Sequence, residues 1–326
     1  MPEAESAADA LALPDLGAIR SAQARIAPYV HRTPLFSCRS LDEEVGARLF
    51  FKAENLQRTG AFKARGATNA VFSLSDAEAR RGVVTHSSGN HGAALAYAAQ
   101  RRGIPAYVVM PENAAKVKRD NVRRRSASIR FCAPTVAARD ATCADVQRET
   151  GATLVHPFDD ARVIAGQGTA ALELIEELPE LDIVIAPVRG GGLLSGTALA
   201  VKSLDRSVRV LGAEPANADD AARSFRSGRI EPLPAATTIA DGLRTTLSPR
   251  TLGAIRAGVD AIGTASEEAI MRAMRMTWER MKIVIEPSAA VTLACLLERS
   301  LDVQDAAVGI ILSGGNVDLE RLPWQV

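Results

Sequence analysis

A lone lysine stands among small and apolar residues in the stretch TGAFKARGA, residues 59–67. A run with helical character, ARGATNAVFSL, follows it directly. Most lysines on helices are solvated and have no chemical role. A buried lysine amine is different, because it can attack a carbonyl carbon and form a Schiff base. Lys63 therefore has two interpretations, and the other motifs of the chain must decide between them.

Three consecutive glycines occur in PVRGGGLLSG, residues 187–196, between a strand-like run and a helix-like run. Glycines let backbone N–H groups converge on an anion, and the start of a helix adds partial positive charge. A tight turn alone does not need three glycines. The loop is neither a Walker loop nor GxGxxG, so a nucleotide is disfavoured. The motif predicts a phosphate site.

A second strand-to-helix turn, HSSGNHG at residues 86–92, concentrates polar groups at the start of a helix. One serine or asparagine would suffice to cap that helix. The larger set predicts a carboxylate site, formed by Ser87, Ser88, Asn90 and His91. In LSGGN, residues 312–316, Ser313 ends a buried strand at the same sheet edge, although the motif alone could be an ordinary turn.

Short apolar runs alternate with helical patterns along most of the chain. This alternation predicts an α/β fold of parallel sheets with helices on both faces. Such sheets bind ligands at the carboxyl ends of their strands, which is where the motifs above fall. The predicted strands are residues 48–54, 82–87, 106–111, 128–133, 182–188, 209–214 and 307–315.

Composition excludes several classes of protein. The 326 residues, 47% of them hydrophobic, can form two domains. A net charge of +1 argues against a nucleic-acid binder, and no apolar run is long enough to span a membrane. The acidic N-terminus lacks the basic region of a signal peptide. Four cysteines without metal-like spacing indicate a reducing compartment, and we predict a cytoplasmic protein.

A lysine, a phosphate site, a carboxylate site and a strand-end hydroxyl suit a phosphorylated aldehyde cofactor that meets an amino acid. Five motifs in order, between about residue 30 and residue 317, carry a family resemblance. They are FFKAENLQRTGAFKARGA, HSSGNHG, GQGTAALEL, PVRGGGLLSG and LSGGN. The chain resembles the fold-type II pyridoxal-phosphate enzymes, and more narrowly the serine/threonine dehydratase and serine racemase family.

The resemblance implies a tryptophan synthase β-like fold with two parallel-sheet domains. Residues 1–52 and 156–326 would form a large cofactor-binding domain, and residues 53–155 a small domain inserted within it. A homodimer is expected.

The resemblance also implies roles at the cofactor pyridoxal 5′-phosphate. Lys63 would be the Schiff-base lysine and, once released, the base at Cα. Phe62 would support the ring, Asn90 would bond its hydroxyl, and Ser313 would face the pyridine nitrogen. Unlike a carboxylate, a serine does not keep that nitrogen charged, which suits elimination of a β-substituent. The backbone would hold the phosphate at Arg189, Gly190, Gly191, Gly192 and Leu193.

Two implied roles depend on arginines. Arg139 aligns with an arginine that contacts acidic substrates in this family, although a solvated helix arginine is an equal alternative. The family usually has glycine at the position of Arg189. The Arg189 side chain must therefore either turn away from the phosphate or contact it.

Two features point to the branch that contains serine racemase and 3-hydroxyaspartate dehydratase. Threonine dehydratases usually carry alanine at the position of Ser88, whose hydroxyl would face Cα opposite the lysine. In EPANADD, residues 214–220, that branch binds a divalent cation, which implies Glu214, the Ala218 carbonyl and Asp220 as ligands. Oxygen ligands suit Mg²⁺, Mn²⁺ or Ca²⁺. The alternative is that Asn217 and Asp219 only cap the next helix.

The implied activity is an ammonia-lyase reaction. Water would leave serine, threonine or 3-hydroxyaspartate, giving a 2-oxo acid and ammonia. The alternative is a serine or aspartate racemase that uses Lys63 and Ser88 as a two-base pair. A cysteine-synthase-like enzyme, a non-catalytic cofactor carrier and a Rossmann dehydrogenase fit the motifs less well. The expected partners are a small amino acid and a second copy of the chain, with neither nucleic acid nor membrane.

Overall fold

Ten strands form two separate sheets within the part of the chain that the computed structural model describes, residues 12–87, 89–114, 116–233 and 237–325. The six-stranded sheet runs, in spatial order, β1 (Leu35–Ser37), β2 (Arg48–Lys52), β10 (Ala307–Ile311), β7 (Ile183–Pro187), β8 (Arg209–Pro215) and β9 (Ala261–Ala265). The four-stranded sheet runs β5 (Ser128–Cys132), β4 (Ala106–Pro111), β3 (Val83–His86) and β6 (Thr153–Leu154).

Neighbouring strands are parallel throughout both sheets, except that the edge strand β1 lies antiparallel to β2. The predicted α/β class with parallel sheets is confirmed. The antiparallel edge was not predicted, because β1 has three residues and no pattern. The β10 strand, late in the chain, pairs with the early strand β2, and Ala307 lies opposite Arg48.

Helices connect the strands and cover the sheets. No helix in the described part of the chain is long and apolar enough to cross a bilayer. A π-helical turn, Thr277–Met281, extends α12. The α-helices are α1 (Leu16–Ile26), α2 (Arg39–Val45), α3 (Lys63–Phe72), α4 (Asp76–Arg81), α5 (Asn90–Arg102), α6 (Lys116–Arg123), α7 (Val136–Thr150), α8 (Ala161–Glu177), α9 (Gly192–Leu204), α10 (Asp220–Ser227), α11 (Pro249–Gly258), α12 (Glu267–Met276) and α13 (Pro287–Leu297).

The central strands of the large sheet are apolar at every position because both faces are covered. In β7, Ile183 and Ile185 pack into the core on one face. Val184 and Ala186 pack into the core on the other face. Successive side chains of a strand point to opposite faces, so a doubly covered strand has no polar position. This explains the unbroken apolar runs of the sequence.

The small sheet is formed by one continuous segment of the chain. Its four strands lie between residues 83 and 154, whereas the strands of the large sheet come from both sides of that segment. This arrangement supports our proposal that residues 53–155 form an inserted domain. The N-terminal residues on which the signal-peptide prediction depends, 1–11, lie outside the described residues.

A buried ionic cluster joins β2, α3 and α8. The Arg65 guanidinium donates two hydrogen bonds to Glu54, both 2.8 Å long, and two to Glu173, both 2.7 Å long. The Lys52 amine lies 2.7 Å from Glu173. All four side chains are buried, and their formal charges cancel. We call Lys52, Glu54, Arg65 and Glu173 the Arg65 cluster.

The Arg65 cluster should contribute strongly to stability, because removing one member leaves buried charges without a partner. Arg65→Leu should lower the free energy of unfolding by about 3–5 kcal/mol. Arg39 and Glu43 form an exposed pair one helical turn apart, so Arg39→Leu should cost at most about 1 kcal/mol. Urea unfolding followed by circular dichroism measures both changes. Equal losses in the two variants would contradict the prediction.

Candidate active site

Three of the predicted motifs meet at the carboxyl ends of the strands. The Phe62 amide, beside the lysine, donates to the Ser313 carbonyl at 3.0 Å. The Asn90 side-chain oxygen accepts from the Asn316 side chain at 2.9 Å. The lysine motif, LSGGN and HSSGNHG therefore form one connected site at the edge where parallel α/β sheets bind ligands.

Lys63 is the first residue of α3, and its side chain is only 6% exposed. Its amine donates to the Pro157 carbonyl at 2.7 Å and lies 4.9 Å from the centre of the Phe62 ring. Burial lowers the pKa of the Lys63 amine to about 7, and the charge of Arg189 contributes to this shift. The solvated-lysine interpretation is wrong. A buried amine with a pKa of about 7 is neutral in a large fraction of molecules at neutral pH, and a neutral amine can act as a nucleophile or a base.

The glycine loop between β7 and α9 leaves no room for side chains. A Cβ atom on Gly190 would lie 2.4 Å from the ring of Phe158, and one on Gly191 would lie 2.6 Å from Thr251. Gly191 also has a φ of +88° immediately before the helix. The backbone N–H groups of this turn are therefore bare at a helix start, which fits the phosphate of pyridoxal phosphate.

Asn90 is held from both ends of its amide group. Its nitrogen donates to Glu286 at 2.9 Å, and its oxygen accepts from Asn316. Glu286 precedes α13, is buried, and donates its backbone N–H to the Gly314 carbonyl at 3.0 Å. Sequence analysis missed Glu286, because a Glu-Pro pair at a helix start carries no signal of chemistry.

His91 lies in the first turn of α5 with its ring fully enclosed. Its Nε2 is 3.1 Å from the Val155 carbonyl, and its Nδ1 has no partner among the described residues. Burial holds the pKa of His91 well below its ordinary value, so the ring is neutral. Because a carbonyl only accepts, the single proton lies on Nε2, and Nδ1 carries a lone pair. The neutral ring cannot donate to a carboxylate, whereas the free backbone N–H groups of this helical turn can.

The two predicted serines differ in what can be said of them. Ser87 follows β3, is partly buried, and its hydroxyl accepts from the Gly89 N–H at 3.2 Å. Ser88, the predicted second base, lies outside the described residues.

Sequence analysis also missed the segment HPFDD, residues 156–160, which follows the two-residue strand β6. Pro157 supplies the acceptor for Lys63, and Phe158 packs against the glycine loop. Like the other motifs, this segment follows the carboxyl end of a parallel strand, where such sheets bind ligands. A two-residue strand has no apolar pattern to announce it.

The predicted metal ligands come together between β8 and α10. Glu214 and Asp220 are both buried, and no other residue that the structure describes donates a hydrogen bond to the two carboxylate oxygens of Asp220. Burial raises the pKa of Glu214 to about 9, with Asp220 adding to the shift, and raises that of Asp220 to about 6. Two such carboxyl groups beside the Ala218 backbone fit a divalent cation.

The alternative that Asn217 and Asp219 cap α10 is wrong. Asp219 makes no side-chain capping bond and pairs with Arg223 at 2.8 Å. The Asn217 amide donates to the Thr237 carbonyl. Glu214 accepts from two N–H groups of the first turn of α10, those of Ala221 and Ala222. Across the described residues, no group of three or more His, Cys, Asp or Glu side chains is arranged to hold a metal ion.

The fold and the lysine site define a class of protein, and comparison with known sequences agrees. Residues 26–314 match the family described as pyridoxal-phosphate dependent enzyme, and the chain belongs to this family. It is 52% identical to a serine racemase of Oryza sativa subsp. indica over 95% of this chain and 93% of the relative. It is 51% identical to a beta-hydroxyaspartate dehydratase of Paracoccus denitrificans (strain Pd 1222), over 93% of this chain and 96% of the relative. The structure of maize serine racemase superimposes with a TM-score of 0.93 at 48% identity, covering 95% of each chain.

The depressed pKa of Lys63 predicts how the stability of the cofactor-free protein varies with pH. Between about pH 7 and pH 10.5 the unfolded chain binds a proton at this lysine that the folded chain does not, so the lysine lowers stability increasingly as pH falls through this window. Below about pH 7 the buried lysine lowers the free energy of unfolding by its full amount. Cofactor-free Lys63→Met should therefore be more stable than the wild type at about pH 6, and the gain should shrink towards about pH 10. Urea unfolding at several pH values measures this gain, and a gain that does not vary with pH would contradict the assignment.

Proposed function

We propose that the protein is a pyridoxal-phosphate-dependent ammonia-lyase that removes water from serine, threonine or 3-hydroxyaspartate and yields a 2-oxo acid and ammonia. The observation that carries the proposal is the buried Lys63 amine, placed among the strand-end motifs with a pKa of about 7. A relative that is a beta-hydroxyaspartate dehydratase supports elimination. The serine racemases among the relatives support racemisation as the second candidate.

The chain offers a group for each part of the cofactor. Lys63 would bind its aldehyde carbon, Asn90 its ring hydroxyl, and the backbone of residues 189–193 its phosphate. Phe62 would lie against the ring, and Ser313 would face the ring nitrogen. When bound, pyridoxal phosphate supplies an electron-withdrawing ring that acidifies the Cα–H bond of the amino acid.

Groups of the protein would transfer the Cα proton and bind the substrate carboxylate. Lys63, once free of the cofactor, takes the Cα proton, and its low pKa keeps the amine available as a base near neutral pH. The substrate carboxylate would bind the N–H groups at the start of α5, with the Ser87 hydroxyl beside them. Ser313 is buried and uncharged, so it does not stabilise a positive ring nitrogen. Charge that develops at Cα is then best relieved by loss of the β-hydroxyl.

The test is to incubate the holoenzyme with β-hydroxy amino acids of both configurations and to measure ammonia, 2-oxo acid and amino-acid chirality together. We expect ammonia and oxo acid to form faster than the substrate inverts. If racemisation of serine or aspartate outpaces ammonia release across the panel, the racemase candidate replaces the lyase.

Ser88 separates the two candidates. Racemisation needs an acid or base on each face of Cα, whereas elimination needs one base on the face that carries the proton. Ser88→Ala should therefore abolish racemisation, and elimination should persist only for the configuration that Lys63 deprotonates. Chiral chromatography and ammonia release measure the two reactions. A Ser88→Ala enzyme that racemises as fast as the wild type would exclude the two-base pair.

We further propose that Glu214, Ala218 and Asp220 bind Mg²⁺, or Mn²⁺ or Ca²⁺ in its place. Two buried carboxyl groups with raised pKa values, one of which accepts no hydrogen bond from another described residue, support a resident cation. The site lies at the end of β8, next to β7 whose following loop forms the glycine cup. A cation here would stabilise the sheet edge that supports the cofactor.

Chelation should lower the melting temperature of the wild type, and Mg²⁺ or Mn²⁺ should restore it. Asp220→Asn should remove this response, because one charged ligand is lost. Asp219→Asn is the matched control, since this neighbouring carboxylate pairs with Arg223 and should leave the chelator response in place. Thermal unfolding with and without chelator measures all three proteins. A full chelator response in Asp220→Asn would exclude the site.

We also propose a homodimer in the cytoplasm. Leu56 and Val284 are exposed apolar side chains on adjacent segments, which the Asn55 side chain joins by donating to the Val284 carbonyl at 3.0 Å. A second copy would cover them. The four cysteines, all within the described residues, are free thiols, as a reducing compartment requires.

A further inference from the structure

The side chain of Arg189 extends from the glycine cup, to which its backbone belongs, to the loop that carries Thr245. Its Nε and Nη2 atoms donate to one hydroxyl, that of Thr245, at 3.3 and 3.1 Å. Within the described residues this neutral oxygen is the acceptor for the guanidinium, which has five N–H donors. A partly buried guanidinium with one neutral acceptor retains most of its capacity to bind an anion.

This guanidinium lies near enough to the candidate active site to act on two of its groups. Its charge acts on the Lys63 amine and on His86, which ends β3 one residue before the HSSGNHG serines. Arg139, on α7 beside the small sheet, acts on the same His86 and on Arg189. Two arginines, one after β7 of the large sheet and one on α7 beside the small sheet, therefore act together on His86, and Asp140, 3.9 Å from His86, offsets them in part.

Negative groups of the protein offset this charge only in part. Burial lowers the pKa of Arg189, Asp241 and Glu286 raise it, and Arg139 lowers it again. Glu286 also accepts from Asn90, and Asp241 is exposed. None of the ion pairs within the described residues includes Arg189 or Arg139. The arrangement favours an anionic ligand over a neutral one.

The cofactor phosphate is not the best candidate for that anion. The bare N–H groups at residues 190–193 already form its cradle. The guanidinium itself is held by the Thr245 hydroxyl, on the loop between Leu243 and α11. The anion that fits is a part of the substrate remote from the carboxylate that the start of α5 would bind.

We infer that Arg189, oriented by Thr245 and assisted by Arg139, binds the second carboxylate of a dicarboxylic β-hydroxy amino acid such as 3-hydroxyaspartate. The inference rests on the proposed function, because it selects one substrate among the three that the lyase could accept. Arg189 is thus a specificity-determining residue. The carboxylate that it holds sits on the carbon that carries the leaving hydroxyl, so the same contact orients the C–O bond that breaks.

The first test compares substrates. In Arg189→Gln, the ratio of kcat/KM for 3-hydroxyaspartate to that for serine should fall roughly 10- to 100-fold, as the loss of a charge-assisted contact predicts. The ratio for Arg189→Lys should lie between those of the wild type and Arg189→Gln, because lysine keeps the positive charge but loses the paired N–H donors of the guanidinium. Thr245→Val should shift the ratio in the same direction, and serves if the Arg189 variants do not fold. Arg244→Gln is the control, since this exposed neighbour binds the Thr238 carbonyl and should leave the ratio unchanged.

The second test measures binding without turnover. Malate and 3-hydroxypropanoate are 3-hydroxyaspartate and serine without their amino groups. The wild-type holoenzyme should bind malate more tightly, and Arg189→Gln should reduce that preference by the same roughly 10- to 100-fold factor. If the preference holds but no β-hydroxy amino acid is deaminated, the lyase proposal fails and the inference stands.

Three results would overturn the inference. The first is an unchanged ratio and an unchanged malate preference in Arg189→Gln and Thr245→Val. The second is an equal loss for 3-hydroxyaspartate and serine, which would place Arg189 on a part that both share. The third is loss of pyridoxal phosphate from Arg189→Gln at concentrations that saturate the wild type, measured by absorbance after dialysis, which would assign the side chain to the phosphate.

Discussion

The Arg65 cluster is the interaction on which the site depends. Arg65 lies two residues from Lys63 on the same helix, and the two buried cations differ in their partners. Arg65 is compensated by two buried carboxylates, whereas Lys63 has a carbonyl as its acceptor. A buried amine without a counter-ion raises the free energy of the fold. The cluster joins β2, α3 and α8, so the segment that carries Lys63 stays in place despite that cost. Stability and reactivity are thus divided between neighbouring residues of one helix.

The sequence predicted a site residue where its own segment of the chain carries a recognisable pattern, and missed it where the residue reaches the site only through the fold. Lys63, Asn90, Ser313 and the glycine loop each carry a local signal, namely an apolar run followed by small or polar residues and a helix. Glu286 has no such signal, and it meets Asn90 only because α13 and α5 converge on the same strand ends. The same holds for fold elements: parallel strands with long apolar runs were predicted, whereas the short strands β1 and β6 and the edge strand β9 were not.

Predicted residues can also have a second role that only contacts show. Glu214 was predicted as a metal ligand, and its carboxylate accepts from the first turn of α10 as well. His91 was predicted to grip a carboxylate, and its enclosed neutral ring leaves that work to backbone N–H groups. In both cases the residue type suggested a charge, and burial determines whether the charge exists. Sequence patterns give the type but not the burial of one particular side chain.

The pairing of β10 with β2 has a consequence for biosynthesis. The strand β10, and the Ser313 carbonyl that receives the Phe62 amide, leave the ribosome well after the segment that forms the small sheet. The strands of the small sheet, residues 83–154, emerge much earlier and pair only with one another. A nascent chain can therefore assemble its inner sheet while its lysine still lacks a finished pocket. Capture of the cofactor by a finished pocket would then have to wait for β10 to pair with β2.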